Sequence, residues 1–359
     1  MQAMSNVRFS TPGRVCLFGE HQDYLHLPVI PSAISLRITI DARHTDERTV
    51  HIDLPDIQSG DRFSLDGPLE YRNDRDYLRS GVNVIRRHGF TFSKGIRAWM
   101  EGKIPINAGT SSSSAMLVTW IAVLGRLSDQ GQVLSPEECA RLAHEAEVIE
   151  FGEPGGQMDH YSTALGGILT IDFAPALHIE KLAVPLGTFV LGNSREPKDT
   201  KGILARVKNQ VVALSHVLER RHPGFSLHTA TAGTIADLAP ELNDEQLTLL
   251  QGTVRNRQLT HDARQVLTSG SPDHRQIGAL LTEHQTVLRD VLRISTPKID
   301  RMIAAANAAG AYGGKINGSG GGGCMFAYAP EDPERVAQAV RDAGGEAWVV
   351  TMAGGVHEE

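Results

Sequence analysis

A hydroxyl-rich loop in the first half of the chain reads Pro105-Ile106-Asn107-Ala108-Gly109-Thr110-Ser111-Ser112-Ser113-Ser114-Ala115, and the apolar segment 116–127 follows it directly. Such a loop at the start of a helix collects unpaired backbone N–H groups, side-chain hydroxyls and the positive end of the helix dipole, which together suit a bound phosphate. The alternative is that the serines form only an N-cap followed by a flexible turn. A second glycine-rich loop and two acidic motifs elsewhere in the chain favour the phosphate site.

The composition is that of an ordinary globular protein. The 359 residues are 41% hydrophobic and 21% charged, which allows two domains or one domain in two lobes. The net charge of −7, without any block of lysines or arginines, argues against a nucleic-acid or membrane partner. The best apolar run, residues 115–124, is too short to span a bilayer. We therefore expect a small-molecule ligand and a monomer or homodimer.

The cysteines point to a reducing compartment. Cys16, Cys139 and Cys324 are far apart and none belongs to a CxxC pair, so neither a disulfide framework nor a zinc site is indicated. Residues 1–10 have no apolar core like that of a signal peptide. We expect a cytoplasmic protein.

The spacing of apolar residues predicts both strands and helices. A short apolar run that ends at Gly19 and leads into a polar cluster predicts a strand that delivers functional side chains at its end. Alternation at 34–42, and more loosely at 49–54, predicts antiparallel strands with one solvated face. The other predicted elements are helices at 78–88 and up to Leu127, strands at 95–100, 167–172, 189–191 and 324–328, and a mostly helical region at 201–286 interrupted at Pro223, Pro240 and Pro272.

A capped helix is predicted to begin after Ser135. This serine is a suitable N-cap, Pro136 occupies the first turn, and Glu138 stands three residues after the cap. The helix should run to about Phe151 and carry Glu147 on a face of small residues, where an acid is unexpected. We place a boundary between two lobes near Ala174-Pro175.

A glycine-rich loop lies near the C-terminal end of the chain, and its run Gly318–Gly323 contains one non-glycine residue. Because a predicted strand follows it, close approach of a ligand or another backbone is favoured over a flexible linker. The chain has no GxxxxGK[ST] and no HExxH, and its glycines lack the βαβ context of a dinucleotide-binding dehydrogenase. A nucleotide site made of two separate loops, one rich in serine and one in glycine, is the remaining interpretation.

At this point the sequence resembles the GHMP kinases, a family that includes galactokinases and mevalonate kinases. Residues 12–24 look like the galactokinase signature, residues 105–115 like the family's phosphate loop, and residues 315–324 like its third motif. The resemblance implies a two-lobed α+β fold. It implies an N-terminal lobe of the ribosomal-protein-S5-domain-2-like type in residues 1–175 and a ferredoxin-like C-terminal lobe in residues 176–359.

The resemblance also implies roles for individual residues, with ATP and Mg²⁺ as cofactors. Asp159 matches the aspartate that faces the substrate hydroxyl, and Arg14 matches a nearby basic residue. Arg14 would lower the pKa of the aspartate and stabilise the transferring phosphoryl group. Glu147 matches the magnesium-holding glutamate, together with Ser113, or with Ser112 if the loop register slips by one. The residues implied in ATP binding are Pro105, Asn107, Ala108, Gly109, Ser111, Ser112, Ser113, Ser114, Gly320 and Gly321.

Alternative roles remain open for Asp159 and Arg14. Asp159 could be a turn or cap residue, and Arg14 could belong to a surface salt bridge. Whether Asp159 removes the proton early or mainly orients the hydroxyl is also open.

The acceptor site is expected at Glu20, His21, Asp23 and Gly156. Carboxylates accept hydrogen bonds from hydroxyl groups and repel anions, so this set favours a neutral sugar over mevalonate. The alternative is that Glu20 and His21 only hold their loop together. We expect transfer of the γ-phosphoryl group of ATP to a sugar hydroxyl, in the first place the anomeric hydroxyl of galactose or a related sugar.

Several positions depart from the galactokinase pattern. Cys16 and Gln22 stand where asparagine and threonine are usual, and residues 25–27 replace the usual turn. Residues 193–201 and 320–324 look more like mevalonate kinase. A mevalonate-type kinase and a catalytically silent sugar sensor are therefore alternatives, although the complete catalytic set argues against the sensor. An acidic sugar or sugar phosphate that reaches Arg195, Lys198 or Lys201 also remains open.

Overall fold

The structure is a computed structural model that describes residues 7–197 and 200–359, apart from the side chains of residues 200, 201 and 204. Lys198 and the side chain of Lys201, named above as possible contacts for an anionic acceptor, lie outside the described part. Within the described part, no helix has the length and apolar character needed to cross a membrane.

Strands and helices alternate along the chain. The strands are β1 (Val7–Phe18), β2 (Ile30–Thr45), β3 (Thr49–Leu54), β4 (Ser59–Ser64), β5 (Gly95–Gly102), β6 (Ile168–Asp172), β7 (His178–Leu182), β8 (Phe189–Asn193), β9 (Gly313–Ile316), β10 (Cys324–Tyr328), β11 (Glu346–Val350) and β12 (His357–Glu358). The helices are α1 (Tyr77–Arg87), α2 (Ser112–Leu127), α3 (Pro136–His144), α4 (Met158–Leu165), α5 (Thr200–Arg221), α6 (Ala232–Leu238), α7 (Asp244–Leu267), α8 (His274–Thr286), α9 (Pro297–Ala308) and α10 (Pro333–Asp342).

The larger sheet has the strand order β12-β1-β2-β5-β3-β4, with β6 paired to β2 and β7 to β6. β2 confirms the predicted alternation, because Ile40 and Ala42 are buried whereas Asp41 is half-buried and Arg43 exposed. The expected antiparallel pairing is wrong for one pair: β3 and β5 run parallel. The chain passes through β4 and α1 between them, which leaves room for the crossover that parallel strands require. Helices α1–α4 bury their apolar sides against this sheet around Trp120.

The smaller sheet is antiparallel and has the order β11-β8-β10-β9. β8 is followed by helices, then β9 and β10, then α10 and β11, which is the split βαβ arrangement of a ferredoxin-like unit. Helices α9 and α10 pack on it through an apolar core around Met302 and Met325. This agrees with the α+β fold that the resemblance implies.

The two sheets share a core instead of being separated by a linker. Val15 and Leu17 of β1 belong to the same apolar cluster as Phe189 of β8 and Leu281 of α8. β7, which follows the cis Ala174-Pro175 bond, pairs with β6, and β12 at the end of the chain pairs with β1. Two strands of the predicted C-terminal lobe thus join the larger sheet. The division at residue 175 stays a prediction.

The capped helix α3 begins as predicted. The Ser135 hydroxyl accepts a hydrogen bond from the Glu138 N–H at 3.2 Å, and the Glu138 carboxylate accepts one from the Ser135 N–H at 2.8 Å. The α-helix ends at His144 and continues as a single π-helical turn, Glu145–Ile149. Such turns are frequent at functional sites, and this one carries Glu147. The mostly helical region 201–286 is confirmed as α5–α8, with its interruptions at the predicted prolines.

Candidate active site

A cavity opens where the N-terminal ends of α2 and α4 meet the polar segment after β1. Its lining includes most residues predicted for the site: Arg14, Glu20, His21, Asp23, Asn107, Gly109, Ser111, Ser112, Ser113, Ser114, Glu147, Gly156 and Asp159. It also includes residues that the sequence analysis did not assign to the site: Tyr24, Arg75, Tyr77, Val148, Glu153, Gly155, Met158, His160, Gly318 and Ser319. The separate motifs of the sequence therefore converge on one place.

Four residues predicted for ATP binding lie outside the cavity lining: Pro105, Ala108, Gly320 and Gly321. The Ala108 carbonyl accepts a hydrogen bond from Cys324 N at 2.8 Å, and Gly321 N donates to the Ile294 carbonyl at 2.6 Å. Gly320 has a φ of 82°, and an added Cβ would lie 2.5 Å from the Ile294 side chain. In this structure these glycines serve close packing of the loop, which sequence alone does not distinguish from contact with a ligand. Their role in ATP binding stays a prediction.

The serine loop lines the cavity at the N-terminal end of α2. α2 begins at Ser112, so Ser112 and Ser113 present the unpaired N–H groups of its first turn. The Gly109 carbonyl accepts hydrogen bonds from Arg14 Nη1 at 2.5 Å and Asn317 Nδ2 at 2.7 Å. The helix N-terminus and the fixed loop together suit a phosphate group.

Backbone strain is concentrated around this cavity. His21, Arg75, Asn107 and Ser111 line it and have φ values of 63°, 66°, 55° and 59°, in the left-handed region. Non-glycine residues persist there only where the surrounding structure holds them, and they cluster at functional sites.

Asp159 and Arg14 form an ion pair in the cavity. Arg14 Nε and Nη2 lie 2.9 and 2.7 Å from Asp159 Oδ1, and Arg14 is buried. Burial opposes ionisation of Asp159, but the charge and hydrogen bond of Arg14 outweigh it and hold the pKa of Asp159 below its ordinary value. Asp159 is therefore a carboxylate that can accept a hydrogen bond from a substrate hydroxyl.

Glu147 lies beside the serine loop. Its Oε2 accepts hydrogen bonds from Ser114 Oγ and His160 Nε2, both at 2.8 Å. Burial would raise its pKa, but the hydrogen bonds from His160, Ser113 and Ser114 lower it overall, so the group is ionised. The serine hydroxyl that lies 2.8 Å from Glu147 is that of Ser114, and the predicted pairing with Ser113, or Ser112, in metal binding stays a prediction.

These donors fit a magnesium ion. A carboxylate and serine hydroxyls supply the hard oxygen atoms that Mg²⁺ prefers, and it usually takes its remaining ligands from phosphates and water. Among the residues that the structure describes, no group of three His, Cys, Asp or Glu side chains could hold a metal by itself. Glu147 and Ser113 would therefore hold Mg²⁺ together with a bound nucleotide.

Glu20 and His21 are both fastened in their loop. Glu20 Oε2 accepts hydrogen bonds from the fully buried Lys315 Nζ and from Gly318 N, each at 2.9 Å. His21 Nδ1 lies 2.9 Å from the Tyr24 hydroxyl, and its Nε2 lies 3.1 Å from the Ser319 carbonyl. The two side chains therefore hold the loop together and also line the cavity, so the alternative raised above and the predicted acceptor role are compatible.

Asp23 and Gly156, both predicted for acceptor binding, lie against each other in the cavity. An added Cβ at Gly156 would lie 2.1 Å from Asp23 Oδ2, so any larger residue there would displace the Asp23 carboxylate. Burial, and next the charge of Asp159, raise the pKa of Asp23 to about 6, although the Tyr24 N–H hydrogen bond opposes this. Asp23 is the acceptor carboxylate whose charge is least compensated.

Arg75 and Glu153 were missed by the sequence analysis. Arg75 Nε and Nη2 bind the two carboxylate oxygens of Glu153 at 2.8 and 2.7 Å. The pair joins the loop before α1 to the loop before α4 at the cavity wall. No local sequence pattern indicates the Arg75–Glu153 ion pair, because its partners are far apart in sequence and each lies in an irregular segment.

Comparison with known proteins gives the class that this fold and site define. The family model "GHMP kinases N terminal domain" matches residues 76–167, "GHMP kinases C terminal" matches residues 263–346, and "Galactokinase galactose-binding signature" matches residues 2–44. The chain belongs to the GHMP kinase family, whose members are phosphotransferases.

Relatives of two kinds resemble the chain, and the match to mevalonate kinases is the stronger one. The mevalonate kinase of Thermococcus onnurineus is 30% identical, over 94% of this chain and 93% of the relative. The galactokinase of Roseiflexus sp. is also 30% identical, over 93% of this chain and 87% of the relative. The structure of Lactococcus lactis galactokinase complexed with galactose superposes with a TM-score of 0.86 at 20% identity, covering 98% of this chain and 95% of that one.

Proposed function

We propose that this protein transfers the γ-phosphoryl group of ATP to a hydroxyl group of a neutral sugar, in the first place the anomeric hydroxyl of galactose or a close analogue. The main support for this proposal is that one cavity contains the Arg14–Asp159 ion pair, the N-terminus of α2 and Asp23, the proposed acceptor-binding carboxylate. Phosphoryl transfer needs positioning and charge stabilisation more than covalent chemistry, and these groups supply both.

In this proposal the nucleotide phosphates bind at the start of α2, with Glu147 and Ser113 holding Mg²⁺. When bound there, the ion would supply positive charge that offsets the negative charge of the phosphates. Asp159 accepts a hydrogen bond from the acceptor hydroxyl, orients the oxygen and takes its proton as the bond to phosphorus forms. Arg14 keeps Asp159 ionised and stabilises negative charge on the transferring group.

The charges around the acceptor end favour a neutral substrate. Arg14 is paired with Asp159, Arg75 with Glu153 and Lys315 with Glu20, so each of these cations already has a carboxylate. Asp23 would repel an anionic acceptor but accept hydrogen bonds from hydroxyl groups. The galactokinase signature also covers the segment that contains Glu20 and Asp23.

The second candidate is a mevalonate-type kinase. Mevalonate kinases are among the relatives with 30% identity and match nearly the whole chain, as galactokinases do. Overall similarity is stronger to mevalonate kinases, so the choice of a neutral sugar rests on the charge of the cavity and on the galactokinase signature.

The test is ADP release with ATP and Mg²⁺ across galactose, N-acetylgalactosamine, arabinose, fucose, glucuronate, a heptose phosphate and mevalonate, with phosphorus NMR to locate the new ester. We expect turnover of a neutral sugar, and a loss of about 10²- to 10⁴-fold in Asp159→Asn, which keeps the shape but removes the base. Turnover of mevalonate alone would overturn the choice of acceptor. Absence of turnover, with a sugar that still raises the melting temperature, would indicate a sensor.

A further inference from the structure

The side chain of His160 is hydrogen-bonded to Glu147, the proposed metal ligand. It lies in the first turn of α4, is 2% exposed, and its Nε2 is 2.8 Å from Glu147 Oε2. A carboxylate can only accept, so Nε2 of His160 carries the hydrogen and donates. The same oxygen of Glu147 accepts the Ser114 hydroxyl.

The opposite ring nitrogen has no comparable partner. Within the described residues, His160 Nδ1 is buried without a hydrogen bond, and the ring of His144 stands perpendicular to His160 with centroids 5.2 Å apart. Leaving a buried polar atom unsatisfied is unfavourable. An apolar side chain would avoid that cost but could not donate to Glu147, so the hydrogen bond to Glu147 is what this imidazole contributes.

We propose that His160 is a positioning residue for the metal ligand Glu147. Its hydrogen bond fixes Oε2 and so leaves Oε1 for the cation of a bound metal–nucleotide complex. Because Asp159 precedes it on α4, the same helical turn fixes the base and orients the metal ligand. The inference rests on the proposed use of a metal–nucleotide complex, and it adds a residue that acts through Glu147.

The test measures metal affinity directly, with Mn²⁺ and ADP as the probe and electron paramagnetic resonance as the readout. His160→Gln keeps an amide N–H donor near the position of Nε2, whereas in His160→Asn the shorter side chain places that donor near Nδ1. We expect Asn to weaken Mn²⁺ binding to the enzyme–ADP complex by about 10- to 100-fold, as for other outer-shell partners of metal ligands. Gln should stay near the wild type, and affinity for ADP without metal should be similar in all three.

Two outcomes would overturn the proposal. The first is a folded Asn variant that binds Mn²⁺ as tightly as the wild type, and the second is equal weakening by Gln and Asn, which would indicate a packing role. Circular dichroism and melting temperature establish folding, and Ser114→Ala provides a second variant that removes the other hydrogen bond to Oε2. The binding assay contains no sugar, so its result does not depend on the acceptor. A wild-type protein that binds Mn²⁺–ADP but phosphorylates no sugar would therefore refute the proposed function and leave the proposal for His160 standing.

Discussion

Asp23 and Asp159 face the same cavity, yet their surroundings move their pKa values in opposite directions. Arg14 keeps Asp159 ionised, whereas burial and the neighbouring charge raise the pKa of Asp23 to about 6. Carboxyl groups whose pKa values are separated in this way commonly divide the roles of an active site. Here Asp159 would handle the transferred proton while Asp23 would hold the acceptor.

The pKa of Asp23 predicts an acid limit on activity. If the ionised carboxylate binds the acceptor, kcat/KM of the wild type should fall by about tenfold per pH unit below the pKa of Asp23. The Asp23→Asn variant should have lower kcat/KM at neutral pH and should lack this limb. A pH profile of both proteins with the same sugar is the measurement. An identical acid limb in Asp23→Asn would assign the titration to another group.

The same pKa has a consequence for stability. The pKa of Asp23 is raised from 3.8 to about 6, so ionisation in the folded state is unfavourable. This free-energy cost is absent well below pH 3.8, where Asp23 is protonated in both the folded and the unfolded protein. The cost develops between pH 3.8 and about 6 and is complete above that range. Asp23→Asn should therefore melt at a higher temperature than the wild type above pH 6, and the difference should vanish in acid.

At the level of single residues, local sequence motifs predicted Arg14, Glu147 and Asp159 as site residues, and the structure places all three in one cavity. Lys315, Glu153 and His160 were not assigned to the site. Their significance lies in contacts with residues far away in the chain, as in the Lys315–Glu20 bond. A local pattern cannot indicate such a partner.

Among the elements, α3 and its π-helical turn position Glu147. The capping box at Ser135 satisfies backbone N–H groups at the start of α3, far from the cavity. Ser135→Ala should lower the free energy of unfolding by about 1 kcal/mol. Metal–nucleotide affinity should be unchanged, because packing holds the far end of the helix. Urea unfolding with Ser135→Thr as the hydroxyl-keeping control tests this, and equal losses in both variants would contradict the capping role.

The long elements were predictable and the short ones were not. β2, β5, α2 and α3 have clear periodicity or clear caps, and the structure confirms them. β12 is only two residues long and pairs with β1 from the other end of the chain, so no periodicity announces it. The π-helical turn also escaped prediction, because its sequence continues the helical pattern of α3.

In the whole molecule, the segment after β1 that contains Glu20 is held by β9 of the smaller sheet and by helix α7. Lys315 of β9 binds the Glu20 side chain, and Asn256 of α7 donates to the Glu20 carbonyl at 2.9 Å. Asn317 accepts from Cys16 N at 2.9 Å and donates to the Gly109 carbonyl. The cavity is thus bordered by contacts between residues from the two ends of the chain. The sequence predicted two lobes but could not predict the hydrogen bonds that connect the segment after β1 to β9 and α7.

The buried Lys315–Glu20 pair should be strongly coupled. Lys315→Met leaves a buried carboxylate without its partner and should destabilise the protein by about 3 to 5 kcal/mol. Adding Glu20→Gln to that variant should recover part of the loss, since the uncompensated charge is removed. Urea unfolding of both single variants and the double variant measures the coupling. Strict additivity of the two losses would show that the pair does not act as a unit.

Four residues around the cavity have a left-handed backbone: His21, Arg75, Asn107 and Ser111. At these positions thermal stability and catalytic rate make opposite demands on the side chain. Each of the four costs of order 1 kcal/mol or more relative to glycine, which adopts this conformation freely. Glycine at Asn107 or Ser111 would relieve that strain but delete the side chain of a residue that lines the cavity. Selection for survival at high temperature and selection for rapid catalysis therefore pull these positions in opposite directions. A thermostabilised descendant of this kinase would be expected to gain glycines here only as it loses speed.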